Sequence, residues 1–347
     1  MTSSLQKRLK LSLPIIQAPM AGVQGSALAI AVSNAGGLGS LPCAMLSAEV
    51  LRSELSAIRA KTRGPINVNF FCHSTPVADA EREKNWRARL APYYAELGLD
   101  PHASAAGPAR APFSAEAAEI IREFAPEVVS FHFGLPSPTL LALVKSWGAM
   151  VLSSATTVDE ALWLEAHGAE AIIAQGAEAG GHRAMFLTDD VNTQLGTFAL
   201  SPQIVSAVKV PVIASGGIAD AQGVAAALAL GAQAAQIGTA YLLCPEATTS
   251  AVHRAALKSD AARYTSFTNV FSGRPARGIV NRAMRELGPM SAAIPEFPLA
   301  SAALAPLRAK AESLGSGDFT SMWAGQNVSG CREIPAAELT LALGAKL

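Results

Sequence analysis

Short apolar runs rich in Val, Ile and Phe recur along the chain, each followed by a glycine-containing or polar turn and then by a stretch rich in Ala and Leu. Eight such runs stand out: PIIQAPM (14–20), LGSLPC (38–43), INVNFF (66–71), VVSFHFG (128–134), MVLSSA (150–155), AIIAQG (171–176), VPVIASGG (210–217) and AQIGTAYL (235–242). Brief apolar runs bounded by turn signals predict buried strands. Their alternation with helical stretches predicts parallel β-α-β units, because parallel neighbours need a crossover. Eight units in series predict an α/β fold, a (β/α)₈ TIM barrel.

Punctuation supports the helices between these runs. Ser137-Pro138 and Ser201-Pro202 each place a capping hydroxyl before a proline suited to a first helical position. Thr157 with Glu160 reads as a capping box, Asp220 as another N-cap, and Gly148, Gly168 and Gly231 stand where helices should stop. Residues 73–127 are too long for one crossover; they predict a charged helical excursion followed by a loose Pro/Ala/Gly-containing loop over the barrel mouth. The expected organisation is a barrel over 1–242 that includes this excursion, a smaller, mainly helical element over 243–324 with helices near 246–263 and 299–314, and a segment 325–347 returning to the barrel.

Composition narrows the partners. Half of the 347 residues are hydrophobic and 16% are charged, enough apolar material for a large core. Lys plus Arg and Asp plus Glu balance at 27 each, so no global field gathers nucleic acid or an anionic membrane surface. The apolar start is broken at Pro14, Gln17 and Pro19, unlike a signal peptide, and no run reaches the length of a membrane span. Cys43, Cys72, Cys244 and Cys331 are scattered without metal-like spacing, which predicts reduced thiols in a cytoplasmic protein and no metal site.

A barrel of this kind carries its chemistry at the carboxyl ends of its strands. Alternation in VVSFHFG puts Val129, Phe131 and Phe133 on the helix-facing side and Ser130 and His132 on the inner side, so His132 points inward at the catalytic end. The same pattern turns the amides of Asn69 and Gln175 inward, where a polar ring presenting donors and acceptors would satisfy them, or where they could simply bond loop backbone. Ser215, Gly216 and Gly217 after the seventh run, and Gln236, Ile237, Gly238 and Thr239 of the eighth, fall at the recurrent phosphate site of such barrels. Gly180 and Gly181 of QGAEAGGHR should wrap the same ligand; His182 and Arg183 could serve substrate or cap the loop. No dinucleotide fingerprint, zinc-protease helix, serine elbow or P-loop is present.

PIIQAPMAGV, INVNFF, SFHFGLP, AQGAEAGGHR, ASGGI and QIGTAYL, in that order, resemble the nitronate monooxygenases, formerly 2-nitropropane dioxygenases, of class I. The resemblance runs from about residue 14 to beyond 280, with weak similarity to WAGQ at 323–326. It implies FMN held without covalent attachment, and oxidation of a small-molecule nitronate such as propionate 3-nitronate by O₂ to a carbonyl compound and nitrite. By the same resemblance Ala18, Pro19, Met20, Asn69, Gln175, Gly180, Gly181, Ser215 to Gly217 and Gln236 to Thr239 would bind flavin, His132 would be catalytic, and His182 and Ser291 would meet substrate. The chain departs from the family where Tyr-Pro followed closely by Gln is common: here stands Phe297-Pro298-Leu299. A rival reading is an FMN-dependent NAD(P)H:quinone or enoyl-thioester reductase; a remote one is a non-catalytic barrel that binds a phosphorylated ligand.

Overall fold

The computed structural model describes residues 2–102 and 110–346. Its strands are β1 (Ile15–Gln17), β2 (Gly39–Pro42), β3 (Ile66–Phe71), β4 (Val128–His132), β5 (Met150–Ala155), β6 (Ala171–Gln175), β7 (Gly181–His182), β8 (Val212–Ser215), β9 (Ala234–Ile237), β10 (Thr265–Thr268) and β11 (Ala276–Ile279). Its helices are α1 (Ser4–Leu9), α2 (Ser26–Asn34), α3 (Ala48–Lys61), α4 (Ala80–Glu96), α5 (Ala115–Phe124), α6 (Pro138–Lys145), α7 (Val158–Ala166), α8 (Thr197–Ala207), α9 (Ala221–Ala229), α10 (Ala251–Leu257), α11 (Arg282–Glu286), α12 (Ala300–Ser313) and α13 (Ala336–Leu343).

Eight strands form one parallel sheet in the order β1-β9-β8-β6-β5-β4-β3-β2. A parallel bridge between Ile16 and Leu38 brings its two edges together, so the sheet closes into the expected (β/α)₈ barrel. Closure removes the free edges that an open sheet would present. Side chains sort by strand alternation. Val129 and Phe131 of β4 and Val68 and Phe70 of β3 pack outward with Leu55, Ile58, Ile120 and Ile121 of the covering helices. Val128, Leu152, Ile173 and Ile213 fill the lower interior, and Leu5 and Leu9 of α1 join that cluster as a plug at the amino ends of the strands.

The helix signals are mostly realised. Ser137 and Thr157 accept from Leu140 N and Glu160 N, Asp220 accepts from Gly223 N, and Gly148, Gly168 and Gly231 take positive φ of 85°, 100° and 96°. Two differ. Ser201 and Pro202 lie inside α8, which starts at Thr197 after Gly196 because the Glu178 carboxylate accepts from Thr197 N at 2.7 Å. Glu160 does not close a capping box; its buried carboxylate accepts instead from Thr156 N, Thr156 Oγ1 and Phe186 N, each at 2.7 Å.

The excursion does contain a long helix, α4; the loop expected after it falls partly at 103–109, outside the described residues. Trp86, Leu90 and Tyr94 of α4 pack against Ala303, Leu304 and Leu307 of α12. Trp86 Nε1 donates to Ala300 O at 3.3 Å and Tyr94 Oη to Ala303 O at 2.6 Å. The stretch expected to be mainly helical also holds β10 and β11, which join β7 in an antiparallel three-stranded sheet in the order β10-β11-β7. That small sheet fixes the loop after β6 over the mouth. Helix α13 packs with α2 and α9 on the outside of the barrel through Ala336, Leu339 and Leu343.

Candidate active site

A cavity opens at the carboxyl ends of the barrel strands with about 1350 Å³ of empty space, part of it open to solvent. Its walls bring together Ala18, Pro19, Met20, Asn69, His132, Gln175, Gly180, Gly181, His182, Ser215, Gly216, Gly217, Gln236, Gly238 and Thr239. Two expected residues are not in these walls. Ile237 alternates to the outer face of β9 and is buried under the helices with Ile15 and Val224; only its carbonyl turns to the loop, accepting from Ala18 N at 2.8 Å. Ser291 lies away from the cavity, where its hydroxyl accepts from Arg89 Nη1 at 3.1 Å and its main chain bonds the Asn269 amide.

A buried polar layer supports the first wall. Gln24 Oε1 accepts from Met20 N at 3.0 Å, Gln24 Nε2 donates to Ser40 O at 2.6 Å, Gln17 Oε1 accepts from Ser40 N at 2.9 Å, and Asn67 Nδ2 donates to Ser40 Oγ at 3.0 Å. This network holds the turn carrying Ala18, Pro19 and Met20 in place, since a buried amide left unpaired is costly. Nearer the cavity, Asn69 Nδ2 donates to Ser130 O and Ser130 Oγ at 3.1 and 2.9 Å.

Histidines and arginines crowd the mouth. His132 Nε2 is 3.2 Å from His182 O, and Gln175 Nε2 donates to that same oxygen at 2.9 Å while Gln175 Oε1 accepts from Ala184 N at 2.9 Å. His182 Nε2 pairs with Ser272 Oγ at 2.8 Å. Burial, reinforced by the Arg183 and Arg274 charges, lowers the His132 pKa to about 3 against the opposing effect of the His182 carbonyl. Burial pulls His182 well below the ordinary range too, helped by Arg110, His132 and Arg274. His73, inside the aromatic group of Phe71, Phe133 and Phe297, is lowered to about 4 by burial and then by Arg274 and Arg110. The mouth therefore holds neutral imidazoles at neutral pH.

Phe133 is not under the helices, as alternation predicted. The chain leaves β4 at His132, Phe133 takes φ 69°, and its ring joins Phe71 and Phe297 at the mouth with Arg274 4.2 Å above its face. Arg183 proves to be the loop's cap: fully buried, it donates to Gly176 O at 2.7 Å, Gln175 O at 2.5 Å and Gln194 Oε1 at 2.7 Å. Sequence reasoning also passed over Arg110, His253 and Trp323, which line the cavity from outside the barrel repeat. Only the WAGQ segment gave a signal for one of them.

The walls also show what they could hold. Among the described residues Gln236 Oε1 is buried without a partner, although the residue lines the cavity. Gly181 has φ 75°, and a Cβ there would meet nothing within 4 Å; Gly216 and Gly217 also have positive φ, at 117° and 71°. Bare backbone beside an open cleft is what close approach to a phosphate requires. A phosphorylated ligand with a hydrogen-bonding ring, such as FMN, fits this set.

The sequence profile of the family described as nitronate monooxygenase matches residues 2–345. A nitronate monooxygenase of Paraburkholderia phytofirmans is 45% identical, covering 100% of this chain and 97% of its own. This chain belongs to the nitronate monooxygenase family. It is thus an oxidoreductase of that family, and the solved structures agree. A nitroalkane oxidase from Streptomyces ansochromogenes superposes with a TM-score of 0.88 at 37% identity, covering 99% of this chain and 98% of that one. FabK from Thermotoga maritima follows at 0.72 and 27% identity, covering 99% and 95%. No described helix is long and apolar enough to cross a membrane.

Proposed function

We propose that the chain binds FMN non-covalently and oxidises alkyl nitronates, propionate 3-nitronate among them, with O₂ to a carbonyl compound and nitrite. The observation that carries this reading is the cavity at the strand ends, which gathers the Gln236 Oε1 atom left without a partner among the described residues, the positive-φ glycines and neutral His132 in a chain that matches the family over residues 2–345. Gly216, Gly217, Gly238 and Thr239 would hold the phosphate, and Asn69, Gln236 and the uncommitted N–H of Gln175 the ring edge. FMN supplies the one-electron chemistry and the reaction with O₂.

The side chains of this protein do the rest. A carbonyl can only accept, so His132 Nε2 carries the proton toward His182 O and Nδ1 keeps the lone pair. With a pKa near 3 this imidazole stays neutral and is a weak base. A nitronate arrives already deprotonated and needs no base; a neutral nitroalkane would need one. The site therefore favours nitronates. Phe71, Phe133 and Phe297 pack together as the apolar side of the mouth, against His132 and His182. The four cysteines are free, in keeping with the reducing cytoplasm as the place of action.

The test is the visible spectrum of the purified protein and its response to two donors without oxygen. The proposal expects a yellow protein that bleaches with propionate 3-nitronate and not with NADH. Bleaching by NADH alone would support the reductase instead, and a colourless protein that takes up no FMN would leave only the non-catalytic barrel.

A further inference from the structure

A second cavity adjoins the first, with about 1290 Å³ of empty space that is also partly open to solvent. Met45 and Arg110 stand in the walls of both. The far wall is α12, which presents the run Ser301-Ala302-Ala303-Leu304-Ala305. Four of these five side chains are small, so the space exists because the helix does not fill it. Trp86, Phe271 and Leu299 add apolar surface.

The charge of this cavity is one-sided. Arg87, Arg110 and Arg308 line it against one acidic residue, Glu83. Among the described residues none of the three arginines has a carboxylate within 4.0 Å, whereas Arg8, Arg59 and Arg282 each have one. Arg110 Nη1 donates only to the neutral Ser301 hydroxyl at 3.0 Å, and Arg87 reaches Pro101 O at 3.5 Å. The sequence 103–109, ASAAGPA, contributes no acid. Burial and the charge of nearby Arg308 push the Arg110 guanidinium below its usual range. An anion between the two would relieve that repulsion and form charge-assisted bonds.

We propose that this second cavity receives the tail of the substrate, and that the preferred substrates are alkyl nitronates whose chain, longer than that of propionate 3-nitronate, ends in an anionic group held by Arg110 and Arg308. The inference rests on the nitronate reading above. The reacting carbon stays beside His132, the apolar chain passes Met45 and lies along the small side chains of α12, and the anion meets the arginines. Carboxylate and phosphate share the required chemistry.

The experiment compares kcat/KM of the FMN-loaded protein for ethyl nitronate, hexyl 1-nitronate, and hexyl nitronates bearing a terminal carboxylate or a terminal phosphate. The terminal anion should raise kcat/KM by about tenfold or more over the neutral chain of equal length, the scale of one charge-assisted hydrogen bond. Whichever anion gains more names the source. Arg110→Met should cut the anionic-to-neutral ratio by about tenfold, mainly through KM, and Arg308→Gln, at an exposed position, should move it the same way. Ala305→Phe should collapse the long-to-short ratio. Equal kcat/KM for neutral and anionic chains, or a ratio indifferent to both arginine variants, overturns the proposal. Calorimetric titration with suberate separates the two readings: if no nitronate is oxidised yet suberate binds in an Arg110-dependent way, the nitronate reading falls and the anion site stands.

Discussion

His132 Nε2 and the main-chain oxygen of His182 stand 3.2 Å apart, joining the end of β4 to the two-residue strand β7. Gln175, at the end of β6, donates to the same oxygen at 2.9 Å. The end of β4, fifty residues away, and the end of β6 thus meet at one carbonyl of β7, which sets the ring orientation and tautomer of His132 together. The loop carrying Gly180 and Gly181 is fixed by the same contacts, so this cavity wall and the imidazole share one support.

Replacing His132 with Asn should leave flavin content near the wild-type level and lower kcat for propionate 3-nitronate by about ten- to a hundredfold, the size of one well-placed hydrogen bond at the reacting centre. Absorbance of the purified variant and steady-state oxygen consumption give the two numbers. A variant with full kcat would remove His132 from the reaction.

Adjacent glycines should fail differently. A Cβ on Gly181 meets nothing within 4 Å, so Gly181→Ala should keep the fold at a cost of about 1–2 kcal/mol for its left-handed backbone, and lose flavin affinity because the methyl enters the cavity. A Cβ on Gly180 would stand 2.6 Å from Ala324 C and Gly325 N, main-chain atoms that cannot yield, so Gly180→Ala should lower the melting temperature first. Thermal melts and FMN titration of both variants check the contrast. It fails if the two behave alike.

The barrel was legible because each strand repeats the same local physics: alternation alone separated Phe131 from His132, and Asn69 from Phe70. It misled where the chain leaves a strand. Phe133 turns into the mouth because Phe71, Phe297 and Arg274 receive it there, and none of these is near in sequence. Ser201-Pro202 has the local form of a helix start, but Glu178 caps α8 from across a loop and overrides it. Strands β10 and β11 were hidden because their third partner is only two residues long, and Arg110 was hidden because it reaches the mouth from the excursion rather than from a barrel strand.

Glu160 is completely buried and accepts from Thr156 N, Thr156 Oγ1 and Phe186 N, joining β5, α7 and the segment after β7. Glu160→Ala would strand these donors inside the protein, at a cost of about 3–5 kcal/mol. Because the segment at 183–187 would loosen with it, flavin affinity should fall as well. Urea denaturation with and without added FMN measures both effects. A loss under about 1 kcal/mol would mean that water replaces the carboxylate at this site.

Acid should destabilise the protein before carboxylates titrate. His253 is buried, its Nε2 has no partner among the described residues, and burial lowers its pKa from 6.5 to about 4, opposed by the Trp323 main chain. His73 is lowered to about 4 as well. Between these folded values and 6.5 the unfolded chain binds protons that the native state refuses, so unfolding free energy falls as pH drops through 6.5; the His253 and His73 contributions level off near 4, and His132 and His182, also lowered by burial, add to the fall. Down to about pH 5 each histidine should remove roughly 1–2 kcal/mol. Urea denaturation at about pH 7 and about pH 5 gives the slope, and His253→Gln, which cannot titrate, should flatten it by one histidine's share. A slope unchanged by that substitution would mean that His253 is solvated, and titrates normally, in solution.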